Sequence, residues 1–456
     1  MKVRGPIFLS LIAIAFAVWS FTPSADQSEK EAIMMQTMLS GLEQLHFNPV
    51  EIDDQFSKHV YDLYLDRIDG GHRWFTQNDV EQLDRYRLEI DDETLNASFA
   101  FFDLSEELLI GGIKKAEGFY QEILDKPFDF TAHEEIEFDG DKKPYAKDDT
   151  ELKDYWRKSL KYEVMSRLAD KIEAQELDKS EDKMVKTLDE MEKEAREAVK
   201  ENYENVFKRL SKLRRSDRFS DYLNAITNVY DPHTGYYAPR DKENFDISMS
   251  GALEGIGARL MTEGDYTKVS EIVPGGPAWK QKELEANDLI TAVAQDGEDP
   301  VNVMGFRIDD VVKLIRGKKG TTVHLTIKKV DGATKTISIV RELVITDESY
   351  AKSVILDLPD KAQNIGYIKL PRFYADFNRA GGRSCATDVA KEVDKLKAQN
   401  VNGIILDLRN NGGGSLRDVV KMSGLFIEEG PIVQVKSRGE APDVLEDRDN
   451  EVQYAG

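Results

Sequence analysis

Cysteine is almost missing from this sequence. Cys385 is the only one among 456 residues, which excludes an intrachain disulfide. A chain of this length buries enough surface to fold without one. A lone thiol is a poor nucleophile unless a base stands beside it, and no motif around Cys385 supplies one. It reads as a small buried residue. Histidine is scarce as well. The six, His46, His59, His72, His133, His233 and His324, form no HExxH, and His133 in HEEIE has no second histidine four residues on. No metal and no cofactor are expected. His233, within DPHTGYY, reads as a turn brace rather than a base. Positive charge is in deficit: 62 Lys and Arg stand against 85 Asp and Glu, a net charge of -23 whose mean field repels phosphate backbones. The basic runs KRLSKLRRSDR (208–218) and GKKG (317–320) are short and lie among acidic residues or read as charged turns. No nucleic-acid partner is expected.

Long apolar runs are missing too, with one exception. Lys2 and Arg4 precede PIFLSLIAIAFAVWSF (6–21), after which the chain turns polar at once. This run is short for a bilayer-spanning helix but suits an export signal. Cleavage is expected after Ala25 or nearer Ser20. The competing reading is an uncleaved anchor that keeps the chain near a membrane.

What remains is a soluble composition, 40% hydrophobic and 32% charged, on a chain long enough for two to four domains. Residues 30–220 read mainly as helix. EAIMMQTMLSGLEQLHF opens the pattern, and FSKHVYDLYLDRID places Val60, Tyr64 and Ile68 at helical spacing. Residues 161–210 are long, charged and rich in helix formers, as in solvent-facing helices or a helical arm; a coiled coil competes, with irregular heptads. DKPFDF (125–130) and DGDKKPYAKDD (139–149) mark connections.

The texture changes near Tyr230. DPHTGYYAPRD (231–241) is turn-rich. TTVHLTIKK (321–329) and TKTISIVREL (334–343) alternate polar and apolar residues around a DG turn, as adjacent strands do. DDVVKLIRG (309–317) reads as a short helix between strands. From about 345 the pattern becomes strand, helix, strand: NIGYIKLPRF (364–373), then TDVAKEVDKLKAQN (387–400) with Val389, Val393 and Leu396 on one face, then GIILDLRNNGGG (403–414). That order implies an α/β core.

Two glycine-containing segments carry candidate chemistry. In GIILDLRNNGGGSL (403–416) three adjacent glycines follow a buried strand, and their backbone N–H groups can nest a developing negative charge, as an oxyanion hole or a phosphate site. There is no GxGxxG or GxxxxGK[ST], so a nucleotide is disfavoured; a plain turn before a helix is the alternative. In GALEGIGARL (251–260) the exposed amides of Gly255, Ile256 and Gly257 suit a peptide's terminal carboxylate, with the peptide adding as a strand beside the edge that follows. A plain hairpin turn is the alternative there.

Taken in order, DPHTGYYAP, GALEGIGARL, EIVPGGPAWKQKELEANDLITAV, NIGYIKLPRFYADF and GIILDLRNNGGGSL resemble the tail-specific, or C-terminal processing, proteases, in particular their larger periplasmic branch. The resemblance implies an α+β multidomain chain: a signal peptide (1–25), a helical N-terminal domain (26–229), a PDZ-like β-rich peptide-binding domain with its entry segment (230–344), and the first portion of an incomplete α/β protease core (345–456). It implies a periplasmic serine endopeptidase with a Ser–Lys pair, acting on protein or peptide substrates with apolar C-terminal tails. Gly255, Ile256, Gly257 and Ala258 match the loop that binds the substrate carboxylate, and Gly413 matches an oxyanion-hole donor. In the family, the serine follows an S-A-S-x-S-E-like segment and the lysine a G-x-T-x-G-K-G-like one. Neither motif occurs before the chain ends at VQYAG, so both residues are expected beyond Gly456. Two other readings stand beside this one: a catalytically silent PDZ-type peptide binder, and an adaptor using the acidic helical region to hold another periplasmic protein.

Overall fold

The computed structural model describes residues 27–178, 185–345, 349–358, 363–377 and 382–456. The expected signal segment lies outside these residues. Among the described residues no helix is long and apolar enough to cross a membrane. The chain divides into two compact units, at Tyr236 and Tyr237.

The first unit is helical because apolar residues recur every three to four positions. Its helices are α1 (Gln27–Leu45), α2 (Asp54–Asp69), α3 (Gln77–Leu83), α4 (Ile90–Asn96), α5 (Ala100–Leu124), α6 (Asp149–Leu177), α7 (Leu188–Leu210) and α8 (Arg215–Tyr230). Local chemistry starts several of them. The Asp53 carboxylate accepts from the amides of Gln55 and Phe56, and capping boxes at Thr76–Asp79 and Thr187–Glu190 satisfy first-turn N–H groups of α3 and α7. Val60 and Tyr64 of α2 are buried, and Ile68 packs at the edge of the same core.

Helix α5 serves two cores. Phe101, Phe102 and Leu109 join Phe56, Tyr64, Phe219 and Tyr222 in one; Ala116, Tyr120 and Leu124 join Trp156, Tyr203 and Phe207 in the other. Between them an added Cβ at Gly112 would overlap the Trp74 carbonyl oxygen, so only glycine allows this approach. Among its described residues, the charged stretch 161–210 is packed rather than a free arm. Leu152, Trp156, Leu160, Val164 and Leu168 on α6 face Met191, Ala195, Val199, Tyr203 and Phe207 on α7, each set four residues apart and buried. A narrow four-residue stripe is enough to seat each helix.

Charge is also buried here. Arg215 bonds the fully buried Glu31 at 2.9 Å and also pairs with Asp103 and Glu106, joining the start of α8 to α1 and α5. Asp69, buried at the end of α2, accepts from the amides of Arg73, Trp74 and Phe75. Burial nonetheless raises its pKa from 3.8 to about 6. A raised carboxyl stabilises the fold fully below the unfolded value, and that contribution is lost as pH rises through the folded value. Relative to Asp69→Asn, the wild type should therefore lose on the order of 2 kcal/mol between pH 4.5 and 7.5. Urea unfolding at several pH values measures this, and parallel curves for the two proteins would refute it.

In the second unit, α9 (Pro239–Ser250) leads to β1 (Ala252–Gly255), β2 (Ala258–Glu263), β3 (Tyr266–Ile272), α10 (Pro277–Gln281), β4 (Leu289–Gln295), β5 (Val301–Asn302), α11 (Ile308–Ile315), β6 (Thr322–Lys328), β7 (Thr334–Val340) and β8 (Glu342–Ile345). The main sheet runs β2-β3-β4-β6-β7, with β5 on β4; β1 and β8 form a separate antiparallel ribbon. The period-two pattern buries Val323, Leu325 and Ile327 against Val311 and Ile315 of α11. The hairpin expected around the DG turn is present, pairing Thr322 with Val340 through Lys328 with Thr334. The stretch 334–343 is not one strand, however. It breaks at Arg341, and Glu342 leaves for the ribbon.

The last part holds β9 (Lys352–Leu358), β10 (Gln363–Lys369), α12 (Cys385–Lys397), β11 (Gly403–Asp407), α13 (Leu416–Gly424), β12 (Gly430–Val435) and β13 (Asp443–Asp447). Strands β10 and β11 are parallel and α12 crosses between them; β9 flanks β10 antiparallel. Cys385, Val389, Val393 and Leu396 of α12 are buried in this core. On the sheet's opposite face Val354, Leu356, Leu358 and Ile405 remain exposed. The whole is α+β: a helical region, a PDZ-like β-rich domain and an α/β portion.

Candidate functional site

The loop Gly255–Ala258 joins β1 to β2, the outer strand of its sheet. Its carbonyls are turned back into the fold: Ile256 O accepts from Ala278 N–H and Gly257 O from Val273 N–H, both at 2.9 Å. Gly257 has φ +76°, and an added Cβ would lie 3.1 Å from Gly276 Cα, so the position needs glycine twice over. Among the described residues no acceptor takes the N–H of Ile256 or Gly257. Beside the loop, Ala258 and Leu260 of β2 rest half-buried on the core that includes Val311 and Ile315. The loop thus combines two free amides with an open strand edge, an apolar floor and a helix wall.

The helix wall is fastened by a residue that sequence reasoning passed over. Arg341 is buried. Its guanidinium donates to the Ile315 and Leu314 carbonyls at 2.8 and 3.1 Å, to Thr321 Oγ1 at 2.9 Å and to Gln295 Oε1 at 2.7 Å. It thus caps α11 from the point where β7 ends, without a carboxylate among these acceptors, and burial lowers its pKa. Within an alternating strand pattern, nothing local marks this arginine.

The second candidate region follows β11. Asp407 receives Arg409 Nε and Nη2, both at 2.9 Å, and the Tyr367 hydroxyl; these hold its carboxyl well below the usual range. Asn411 straps the loop, donating from Nδ2 to Leu370 O at 3.1 Å and accepting from Gly413 N–H at 2.9 Å. Gly413 O accepts from Phe373 N–H at 3.0 Å, and Phe373 O from Ser415 N–H at 2.7 Å. Gly413 and Gly414 have φ +105° and +147°, and a Cβ at Gly414 would overlap the Phe373 carbonyl. The Gly413 amide is therefore on the loop but engaged by Asn411. Ser415 caps α13: its hydroxyl bonds the Asp418 carboxylate at 2.5 Å and accepts from Asp418 N–H. This is a capping role, with the hydroxyl spent on Asp418 and no histidine or lysine among its partners in the described residues.

A cleft of about 1220 Å³ opens beside this loop, lined by Ser384, Asp388, Lys391, Gly414, Arg417 and Lys421 among others. At its back Asp388 binds the Tyr374 hydroxyl at 2.7 Å. Cys385 is fully buried, and burial, followed by the Asp418 charge, pushes its thiol up to about 12, so it stays protonated and inert. His233 is exposed; its amide and ring both meet Asp231 Oδ1 in the turn, at 2.6 and 2.9 Å. Among the described residues no group of three His, Cys, Asp or Glu side chains converges as a metal site.

The fold and these two regions define a class: a PDZ-like domain joined to an α/β portion with a strapped glycine loop. Family models agree and match in sequence. The tail-specific protease N-terminal domain model covers residues 38–240, the PDZ domain model 245–328 and the peptidase family S41 model 364–455. The tail-specific protease of Haemophilus influenzae is 31% identical over 461 residues, taking in 99% of this chain and 62% of that protein. A probable CtpA-like serine protease of Staphylococcus epidermidis is 30% identical over 245 residues, 53% of this chain and 45% of that one. Among solved structures, the PDZ domain of the carboxy-terminal protease from Vibrio cholerae, determined in complex with peptide, is 44% identical and covers 21% of this chain and 99% of that chain, with a TM-score of 0.20. The chain is thus similar along most of its length to the tail-specific, or C-terminal processing, proteases, and it spans about 62% of the Haemophilus protein.

The glycine loop's geometry makes a direct prediction. Gly414→Ala should destabilise the second unit by about 1–3 kcal/mol and speed exchange of the Ser415 amide, whereas Gly412→Ala, with open space around its Cα, should do neither. Urea unfolding with hydrogen exchange compares them. Equal effects from the two variants would count against the proposed strap.

Proposed function

We propose that this chain forms the substrate-receiving and glycine-loop part of a tail-specific serine endopeptidase. The observation that carries the reading is the pair of unengaged amides, Ile256 and Gly257, at the head of the open β2 edge. A protein's C-terminal carboxylate accepts from these amides and that of Ala258, its last residues add as a strand along β2, and an apolar terminal side chain settles against the Ala258–Leu260 floor. Farther up the substrate, a peptide carbonyl developing negative charge takes the Gly413 N–H once Asn411 releases it. In the family's chemistry a serine, deprotonated by a neutral lysine, attacks that carbonyl, expels the amine and leaves an acyl-enzyme for water to cleave. No serine or lysine of residues 1–456 is assigned to those two roles. The working compartment in this reading is the periplasm. Residues 1–25 serve as the export signal or, if uncleaved, as an anchor; an adaptor held by the acidic helices is a further proposed partner.

A second reading is a peptide-binding protein without catalysis. It is favoured by the engagement of the Gly413 amide by the Asn411 side chain.

One titration tests the shared premise. Fluorescence anisotropy with a labelled apolar-tailed peptide should give saturable binding for the free acid and at least about ten-fold weaker binding for the C-terminal amide, since the amide loses the charge-assisted hydrogen bonds. Equal affinity would sink the carboxylate reading. Mass spectrometry of the same mixtures should find the peptide intact, since neither catalytic role is assigned within residues 1–456; robust cleavage by the purified chain would overturn that assignment and the silent-binder reading together.

A further inference from the structure

A loop built to receive an anion is flanked here by two acids. Glu254 immediately precedes Gly255, and Glu342 of β8 lies directly opposite Gly255 in the β1–β8 ribbon. Either carboxylate alone would repel an arriving chain terminus. Each has a counterpart. Glu254 accepts from the Lys319 amide at 3.0 Å. Glu342 accepts from Lys280 Nζ at 2.6 Å, and Lys280, with a smaller effect from Lys319, holds its carboxyl below the ordinary value.

Lys280 is placed by the element that braces the loop. The first turn of α10 donates Ala278 N–H to Ile256 O, and Gly276 and Pro277 abut Gly257. Two residues on, Lys280 reaches from α10 to β8. The ion pair therefore closes a frame around Gly255–Gly257, with the ribbon on one side and the helix on the other. Both partners are about half exposed. Pairs of this kind add little to folding stability, so the effect of this one belongs in binding.

We propose that the Lys280–Glu342 pair is the electrostatic latch of this loop: Lys280 cancels the Glu342 charge beside Gly255 and so sets the affinity for a C-terminal carboxylate. The inference rests on the peptide-binding reading above and adds the residues that tune it. The interaction is one of charge at a distance, so it must depend on the ligand's own charge and fade with salt.

The test uses the full 456-residue chain and a labelled apolar-tailed peptide as free acid and as amide, titrated at roughly 20 mM and roughly 0.5 M salt. At low salt, Lys280→Gln should weaken free-acid binding by about five-fold, Glu342→Gln should bind at least as tightly as wild type, and the double variant should return to within about two-fold of wild type. Amide binding should not change, all differences should shrink at high salt, and thermal unfolding should show the variants folded. If the wild type does not prefer the free acid, the carboxylate reading falls and takes the latch with it. If the wild type does prefer it, three results overturn the latch alone: Lys280→Gln behaving as wild type, the double variant staying as weak as Lys280→Gln, or the amide losing affinity in step with the acid.

Discussion

Four consecutive residues, Arg372 to Ala375, carry the hydrogen bonds on which the second unit's geometry depends. They form no regular strand, so their backbone groups must find partners elsewhere. Ala375 N–H goes to Met249 O at the end of α9. Phe373 exchanges bonds with Gly413 and Ser415. Tyr374 O accepts Cys385 N–H at the start of α12, and the Tyr374 hydroxyl accepts Ala351 N–H while donating to Asp388. Arg372 bonds the Ser248 carbonyl and hydroxyl. One irregular segment thereby fixes the entry helix of the PDZ-like domain, the glycine loop and the crossover helix. The glycine loop is a bonded structure held from both ends rather than a loose turn.

The helical unit solves a different problem. Its sequence is crowded with charge, yet three helices must bury a common core. The solution is a narrow stripe at four-residue spacing on α6 and α7 against the shared helix α5, with charge confined to the remaining faces. Where charge does enter the interior, it enters paired, as with Arg215 and Glu31, or bonded to backbone amides, as with Asp69. Asp69 shows the cost of the second arrangement: three amide donors only partly offset its desolvation.

Much of the candidate site was legible because glycine has few structural substitutes. Gly257 and Gly414 stand where φ is positive and a Cβ would crowd backbone at the first and overlap it at the second, and such positions show up as glycine-rich motifs in a sequence. The residues that hold those glycines did not show up. Asn411 was one letter in NNGGG until its side chain was seen to bind both Leu370 and Gly413. Arg341 sat in an alternating strand pattern and proved to be the cap of a helix distant in sequence. The break of strand 334–343 at Arg341 was hidden for the same reason, since two strands in different sheets can share one unbroken alternation.

The order of elements, the positions of the glycine loops, the fate of Cys385 as a small buried thiol and the resemblance to the tail-specific proteases could all be read from the residues alone. These depend on local periodicity, on backbone angles open to few residues and on motifs read in series. Only the tertiary structure decided which amides are free and which are spent. Ile256 and Gly257 keep their N–H groups because their carbonyls, not their amides, are claimed by Val273 and Ala278, while Gly413 offers an amide already taken by Asn411. Hydrogen-bond partners separated along the chain are chosen by packing in three dimensions, and no reading of neighbouring residues can assign them.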